Sequence, residues 1–323
     1  MEKVLIKDRQ SFKYSLKKKI RHSGFLMLMI IPAIIYYAVF CYIPMYGVLI
    51  AFTEYYPELG IGGSIIEHWV GFQNFHTIFT ELPDFWDAFK NTLIIGSLKI
   101  IISFVAAVTV ALIINELRMK IFKKTAQIIV TFPHFLSWVV VASVFRLLLG
   151  GEGAITHLVS SLGGTPLKIF SDGKTFLSFI FASDIWKEAG WSSIIYIATM
   201  AGISTDLYEA ADIDGANRLQ KIWHITLPGI KATAILLLIM SVGGVLSAGF
   251  DQIYNMTSQL GNSTVLKTTQ IIDTYIYDYT FGFNASLFYG ESSAIGLFKS
   301  LIGFVLVIIT DRIAKLCGER GII

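Results

Sequence analysis

Apolar stretches recur along this chain at lengths that cross a bilayer. The segments 24–52, 89–115, 125–149, 176–201, 230–256 and 291–313 can each span a hydrocarbon core of about 30 Å as a helix. Backbone in hydrocarbon has no water to bond, so a spanning segment must satisfy its N–H and C=O groups internally. The chain has 323 residues, of which 54% are hydrophobic and 15% charged, with a mean hydropathy of +0.64. A soluble surface needs more charge than that. The expected fold is therefore all-α, a polytopic membrane protein with six transmembrane helices, the first kinked at Pro32 and Pro44.

Basic residues set the orientation. Eight lie before residue 22: Lys3, Lys7, Arg9, Lys13, Lys17, Lys18, Lys19 and Arg21. Arg118, Lys120, Lys123 and Lys124 follow the second segment, Arg218, Lys221 and Lys231 the fourth, and Arg312, Lys315 and Arg320 the sixth. These loops share one side of the membrane, which places both termini in the cytosol. The basic start mimics a secretory signal, but the apolar run Phe25–Phe52 is too long and no small-residue cleavage site closes it. Residues 1–23 are expected to be a cytosolic basic tail and 24–323 a single membrane domain. The opposite side carries the acidic, aromatic loop 53–88, expected to form short amphipathic helices on the membrane surface, and the polar-aromatic loop 257–290.

Enzyme chemistry has little to work with. The two cysteines, Cys41 and Cys317, fall toward opposite faces and are not expected to pair. The histidines His22, His68, His76, His134, His157 and His224 lack metal-ligand spacing and read as interface or loop residues. No bound metal or cofactor and no nucleic-acid partner is expected. Gly173-Lys174-Thr175 ends like a phosphate-binding loop, yet Lys168 stands where its first glycine belongs. No carboxylate or histidine constellation suits a membrane-face transferase.

Between the fourth and fifth segments the hydropathy collapses over 202–228. Ser204 or Thr205 can cap a short helix, Asp206 and Glu209 suit its first turn, and Gly215 ends it. A second helix, Ala216 to Ile225, is expected before Pro228 starts the fifth span. Two short helices joined at a glycine make a rigid elbow, with Leu207, Ala210 and Ile213 on an apolar flank suited to a groove on another protein.

The order Glu209-Ala210-Ala211, Asp214-Gly215 and Ile225-Thr226-Leu227-Pro228 resembles the coupling loop of ABC importer membrane subunits. Nearly the whole chain is similar to the sugar-type, maltose-permease-like class, most of all to its Gram-positive polysaccharide or aldouronate branch. Pro44-Met45-Tyr46-Gly47, Trp69-Val70-Gly71-Phe72-Gln73-Asn74-Phe75, Phe250-Asp251-Gln252-Ile253-Tyr254-Asn255 and Gly296-Leu297-Phe298-Lys299-Ser300 carry that similarity. In the outer loop, Ser258-Gln259-Leu260-Gly261-Asn262 replaces the Gly-Gly-Pro frequent in sugar permeases.

The resemblance implies a type I importer fold in the plasma membrane of a Gram-positive bacterium. It implies a second, homologous permease, a cytosolic ATPase dimer that uses ATP and Mg, an extracellular solute-binding lipoprotein, surrounding lipid, and an oligosaccharide as cargo. Coupling to the ATPase is then expected at Glu209, Ala210, Ala211, Asp214, Gly215, Leu227 and Pro228. An ion-coupled secondary transporter is the rival from another class, and the same machinery with a peptide or polyol cargo a nearer one. The first needs no cytosolic elbow and often shows an inverted repeat.

Ionisable side chains inside spans are costly and mark function by default. Asp184, Lys187, Glu188 and Trp191 follow i, i+3, i+4 and i+7, one face of the fourth span. That stripe, with Ser241, Gly244, Val245, Ala248 and Gln252 of the fifth, is the expected substrate path. The alternatives are that Asp184 and Lys187 pair with each other or with Lys99, Asp251 or Lys299, and that Ser241, Gly244 and Ala248 serve close packing. Ser292, Gly296 and Ser300 read likewise as a packing face on the last span.

Overall fold

The computed structural model describes residues 28–258, 260, 261, 263–282 and 288–316. The basic tail, the start of the first span, Cys317, Arg320 and the loop residues Gln259 and Asn262 lie outside the described residues. The chain divides into two units, Met1–Gly71 and Phe72–Ile323.

In the first unit, α1 (Leu28–Phe52) is apolar throughout. Its winding widens to a π turn over Ala38–Tyr42, closed by the Ile43 N–H on the Ala38 carbonyl, and tightens to 3-10 over Ile43–Phe52. Pro44 cannot donate to the turn before it, so the pitch change at that point is the expected response to a mid-span proline. Pro32 leaves the α-helix uninterrupted. A single antiparallel bridge, Thr53 to Trp69, closes the following loop around α2 (Gly60–Glu67), and the Trp69 ring stacks on Phe52.

The second unit begins with α3 (Gln73–Thr80) and the 33-residue α4 (Pro83–Asn115). Phe79, Phe85, Phe89 and Phe298 form a ring cluster that joins them to α15 (Tyr289–Leu316). Next come α5 (Lys120–Thr131), a 3-10 turn at Phe132–Phe135, α6 (Trp138–Leu149) and α7 (Ala154–Ser161). The expected continuous helix over 125–149 is thus two helices. Pro133 sits in the turn, and Ser137 caps α6 by accepting the Val140 N–H. The apolar stretch here runs Trp138–Ser161.

The strut of the unit is α8 (Gly173–Ala201). At 29 residues it is about 43 Å long. Toward one end Tyr196 and Met200 pack with Ala107 and Ala111 of α4 and with Ile230 and Ala234 of α11 (Leu227–Val242). Toward the other, Phe176 and Ile180 pack with Val141, Ala142, Met256 and Val265. Small residues let these helices approach closely: a side chain at Gly190 would overlap the Val130 carbonyl, and one at Gly96 the Val245 carbonyl.

The expected helix over 230–256 is also broken. After α11 come a 3-10 turn at Val245–Ser247, left-handed Ala248 and Gly249, and then α12 (Phe250–Thr257). Helices α13 (Ser263–Thr269) and α14 (Ile272–Phe281) lead to α15. Thr280 and Ser292 share a 2.5 Å hydrogen bond, and Lys299 pairs with Asp273 at 2.5 Å. Gly296 has open space beside it and Ser300 is exposed, so within this chain Ser292 alone of that expected packing face is buried.

Among the described residues five segments are long and apolar enough to cross a membrane: Leu28–Phe52, Asp84–Asn115, Trp138–Ser161, Arg218–Val242 and Tyr289–Leu316. Helix α8 has the length but carries the charged stripe. The protein is an all-α, multi-pass membrane protein.

Candidate functional site

The elbow forms from local signals. Ser204 accepts the Asp206 N–H at 3.3 Å and opens α9 (Thr205–Ile213). Gly215, at φ +74°, ends it; its N–H reaches the Asp212 carbonyl while Ala216 N–H reaches that of Ala211. Asn217 and Gln220 then exchange side-chain and main-chain bonds at 2.7 and 2.9 Å, a reciprocal cap for α10 (Arg218–Lys221).

Where a separate short helix is expected, α10 runs on through a π turn at Ile222–Thr226 into α11. Pro228 lies in the first turn of α11, not at a fresh start. It removes the N–H that would meet the His224 carbonyl, and the wide turn before it absorbs the defect. Two contacts brace the limbs: the Lys221 ammonium pairs with Asp212, and the Tyr208 and Thr226 hydroxyls meet at 2.9 Å.

Glu209, Ala210, Asp214, Gly215 and Pro228 are exposed, while Ala211 and Leu227 are half-buried. The apolar side chains Leu207, Ile213, Leu219 and Trp223 are exposed on the same elbow, Ile213 at 88%. A recess of about 280 Å³ opens between the limbs beside Ala211, Asp214, Gly215 and Lys221.

The stripe on α8 resolves into two polar networks. Lys99 of α4 pairs with Asp184 at 2.8 Å, and Ser103 donates to the other Asp184 oxygen at 2.9 Å. Lys99 also donates to Gln252 Oε1 at 2.6 Å, while Gln252 Nε2 donates to the Ile180 carbonyl and the Ser183 hydroxyl. One turn along α8, Lys187 donates to the His134 carbonyl at 2.8 Å and pairs with Glu188 at 2.9 Å. Glu188 meets His134 Nδ1 at 2.7 Å, the Lys187 ammonium lies 5.2 Å from the centre of the Trp138 ring, and His134 stacks on Trp191 with 4.4 Å between ring centres.

Asp184 and Lys187 therefore do not pair with each other, and Lys299 is engaged elsewhere. Lys99, Ser103, Ser183 and His134 are the members that the sequence-based site did not contain. An in-span lysine is itself a signal for Lys99; His134 beside Pro133 carried none beyond the proline.

A cavity of about 340 Å³ lies between α4, α8 and α11. Trp191, 44% exposed, borders it together with Ser103, Ser192, Tyr196 and Ser241. Gly244, Val245 and Ala248 belong instead to the break before α12, with Val245 and Ala248 buried, and Gln252 is 1% exposed. No cluster of His, Cys, Asp or Glu suited to a metal ion occurs among the described residues.

A family model for the binding-protein-dependent transport system inner membrane component matches residues 85–320. The polygalacturonan/rhamnogalacturonan transport system permease protein YteP of Bacillus subtilis (strain 168) is 42% identical over 305 residues, covering 94% of this chain and 92% of that protein. Protein LplB of the same organism is 40% identical with the same coverage. Among solved structures, a chain of a bacterial alginate ABC transporter, crystallised with an alginate pentasaccharide-bound periplasmic protein, superposes with a TM-score of 0.83 at 33% identity. That match covers 94% of this chain and 99% of the other, so the type I ABC importer permease fold is shared. Family model, relatives and fold agree over most of the length: this chain belongs to the binding-protein-dependent transport system inner membrane components.

Proposed function

We propose that this protein is one of two homologous permease subunits of an ATP-driven, binding-protein-dependent importer of oligosaccharides. It spans the plasma membrane of a Gram-positive bacterium six times, α8 with its charged stripe being one of the spans, and both termini face the cytosol. An extracellular binding lipoprotein delivers the sugar. A cytosolic ATPase dimer supplies the free energy, so the chain itself needs neither nucleotide nor metal.

The observation that carries the reading is the unbroken helix Arg218–Val242, which joins the elbow to the fifth span. A groove on the ATPase grips α9 through Glu209, Ala210, Ala211 and Asp214 and through the exposed apolar side chains. Gly215 sets the bend, and the Asp212–Lys221 and Tyr208–Thr226 contacts make the limbs move as one. Leu227 and Pro228 carry that movement into α11, which borders the cavity beside Trp191. A sugar ring stacks on the exposed indole while Ser103, Ser192 and Ser241 offer hydroxyls; Asp184, Lys187 and Glu188 hold this wall in place, and Gly244, Val245, Ala248 and Gln252 shape its outer end. Relatives that carry sugars support an oligosaccharide cargo. The charges that an ion-coupled transporter would use are engaged with one another.

Purification of the chain from its native membrane in mild detergent tests the reading. Copurification of a second permease and an ATPase, with the ATPase lost from Glu209→Lys, is expected. Recovery of the chain alone in several detergents, with proton-dependent uptake, would overturn it. Trp191→Ala should raise the sugar concentration needed for half-maximal uptake without loss of the assembled complex.

A further inference from the structure

The segment expected as the fifth span loses its helix between Val242 and Phe250. Gly244 N–H turns back to the Ser241 carbonyl, Ser247 N–H to that of Gly244, and Ala248 and Gly249 follow at φ +42° and +82°. Left-handed alanine is strained and persists only where the surroundings enforce it. Here they do. Gln252, in the first turn of α12, is fixed by both ends of its amide: Nε2 on the Ile180 carbonyl at 2.7 Å, Oε1 on the Lys99 ammonium. A side chain at 249 would run into Lys99 Nζ, so the glycine leaves the space that the ammonium enters.

We propose that Lys99 is a positioning residue for transport: it pins the outer half of the fifth span, α12, to α4 and α8 at the break. The inner half, α11, is driven from the elbow, and the Lys99–Asp184–Gln252 latch keeps the outer half from following it loosely. The part played in transport rests on the importer reading; the geometry of the latch does not. A buried ion pair replaced on both sides by apolar residues often loses no stability. The feature that an apolar pair cannot reproduce is the third arm, from Lys99 to Gln252.

The test uses the assembled transporter in sealed proteoliposomes, with Cys41 and Cys317 replaced and spin labels at Leu236 and Ser258, on either side of the break. In the parent protein the distance distribution is expected to be narrow. In Lys99→Met/Asp184→Leu and in Gln252→Leu it should broaden, and sugar transported per ATP should fall about tenfold while ATP hydrolysis continues. A double variant with the parental distances and the parental sugar-to-ATP ratio overturns the proposal. If the double variant fails to assemble, Gln252→Leu decides, because it retains the Lys99–Asp184 pair: unchanged distances overturn the latch. Failure of the importer reading looks different, since the parent would then show no ATP-dependent uptake while the distances still report the pin.

Discussion

Lys187 Nζ donates a 2.8 Å hydrogen bond to the main-chain carbonyl oxygen of His134, inside the turn that separates α5 from α6. A break in a packed helix frees carbonyls that need another donor. Lysine serves one of them, with its charge balanced by Glu188 at 2.9 Å. The residue that most resembles a functional charge on α8 is thereby a tie between the strut and a broken neighbour.

Lys187→Met should therefore destabilise the protein. It strips the His134 carbonyl of its donor and leaves Glu188 with His134 alone, a loss of about 1–3 kcal/mol. Thermal unfolding in detergent should show a lowered midpoint. Lys187→Met/Glu188→Gln should recover part of it, because the uncompensated carboxylate is gone; no recovery would mean that the carbonyl dominates.

At Gly215 the cost of a side chain is conformational only, since φ is +74° and a Cβ would meet open space. Uptake in a series of variants should fall in the order Gly, Asn, Ala, Pro. Asparagine tolerates the left-handed region, alanine loses about 1–2 kcal/mol there, and proline cannot adopt it. Membrane insertion, followed by protein yield, should be unchanged across the series.

The elbow was legible in the sequence because its determinants are local: Ser204 before an acidic turn, then a glycine at the stop. The apolar helices were legible as hydropathy, though not their breaks or, for Trp138–Ser161 and Arg218–Val242, their bounds. Hydropathy does not register a change of winding, so 125–149 and 230–256 read as continuous although Pro133 and the Gly243-Gly244 and Gly249 positions mark the interruptions. The stripe on α8 was visible as spacing, and Lys99 as one of several charges that could meet Asp184. The sequence could not choose among them or find His134, because these side chains come from other elements and only packing brings them together.

Asp172 gives the N-terminal end of α8 a defined acid response. Its carboxylate accepts the Thr175 N–H at 2.8 Å and the Thr175 hydroxyl at 2.7 Å, bonds that hold its pKa below the usual aspartate value. A depressed pKa contributes stability above the unfolded-state value that is lost as pH falls through the folded one. Protection of the first α8 amides against hydrogen exchange should thus weaken below about pH 4 once intrinsic rates are corrected for. Asp172→Asn should keep a pH-independent cap, and Asp172→Ala should lose protection at every pH.

Two glycines on membrane helices should respond oppositely to alanine. At Gly190 a methyl group would overlap the Val130 carbonyl and reach 2.9 Å from Thr131 N, both main-chain atoms that cannot swing aside. Gly190→Ala should force α5 and α8 apart at a cost of about 1–3 kcal/mol, read as a lower unfolding midpoint. At Gly296 no atom of the described residues, the helix's own backbone aside, lies within 4 Å of the added carbon. Relief of glycine's conformational entropy favours alanine in a helix by about 0.5–1 kcal/mol, so Gly296→Ala should leave the isolated chain unchanged or slightly more stable. The same variant in the assembled complex is a probe of that face: a loss there, absent from the isolated chain, would place Gly296 against a neighbouring subunit.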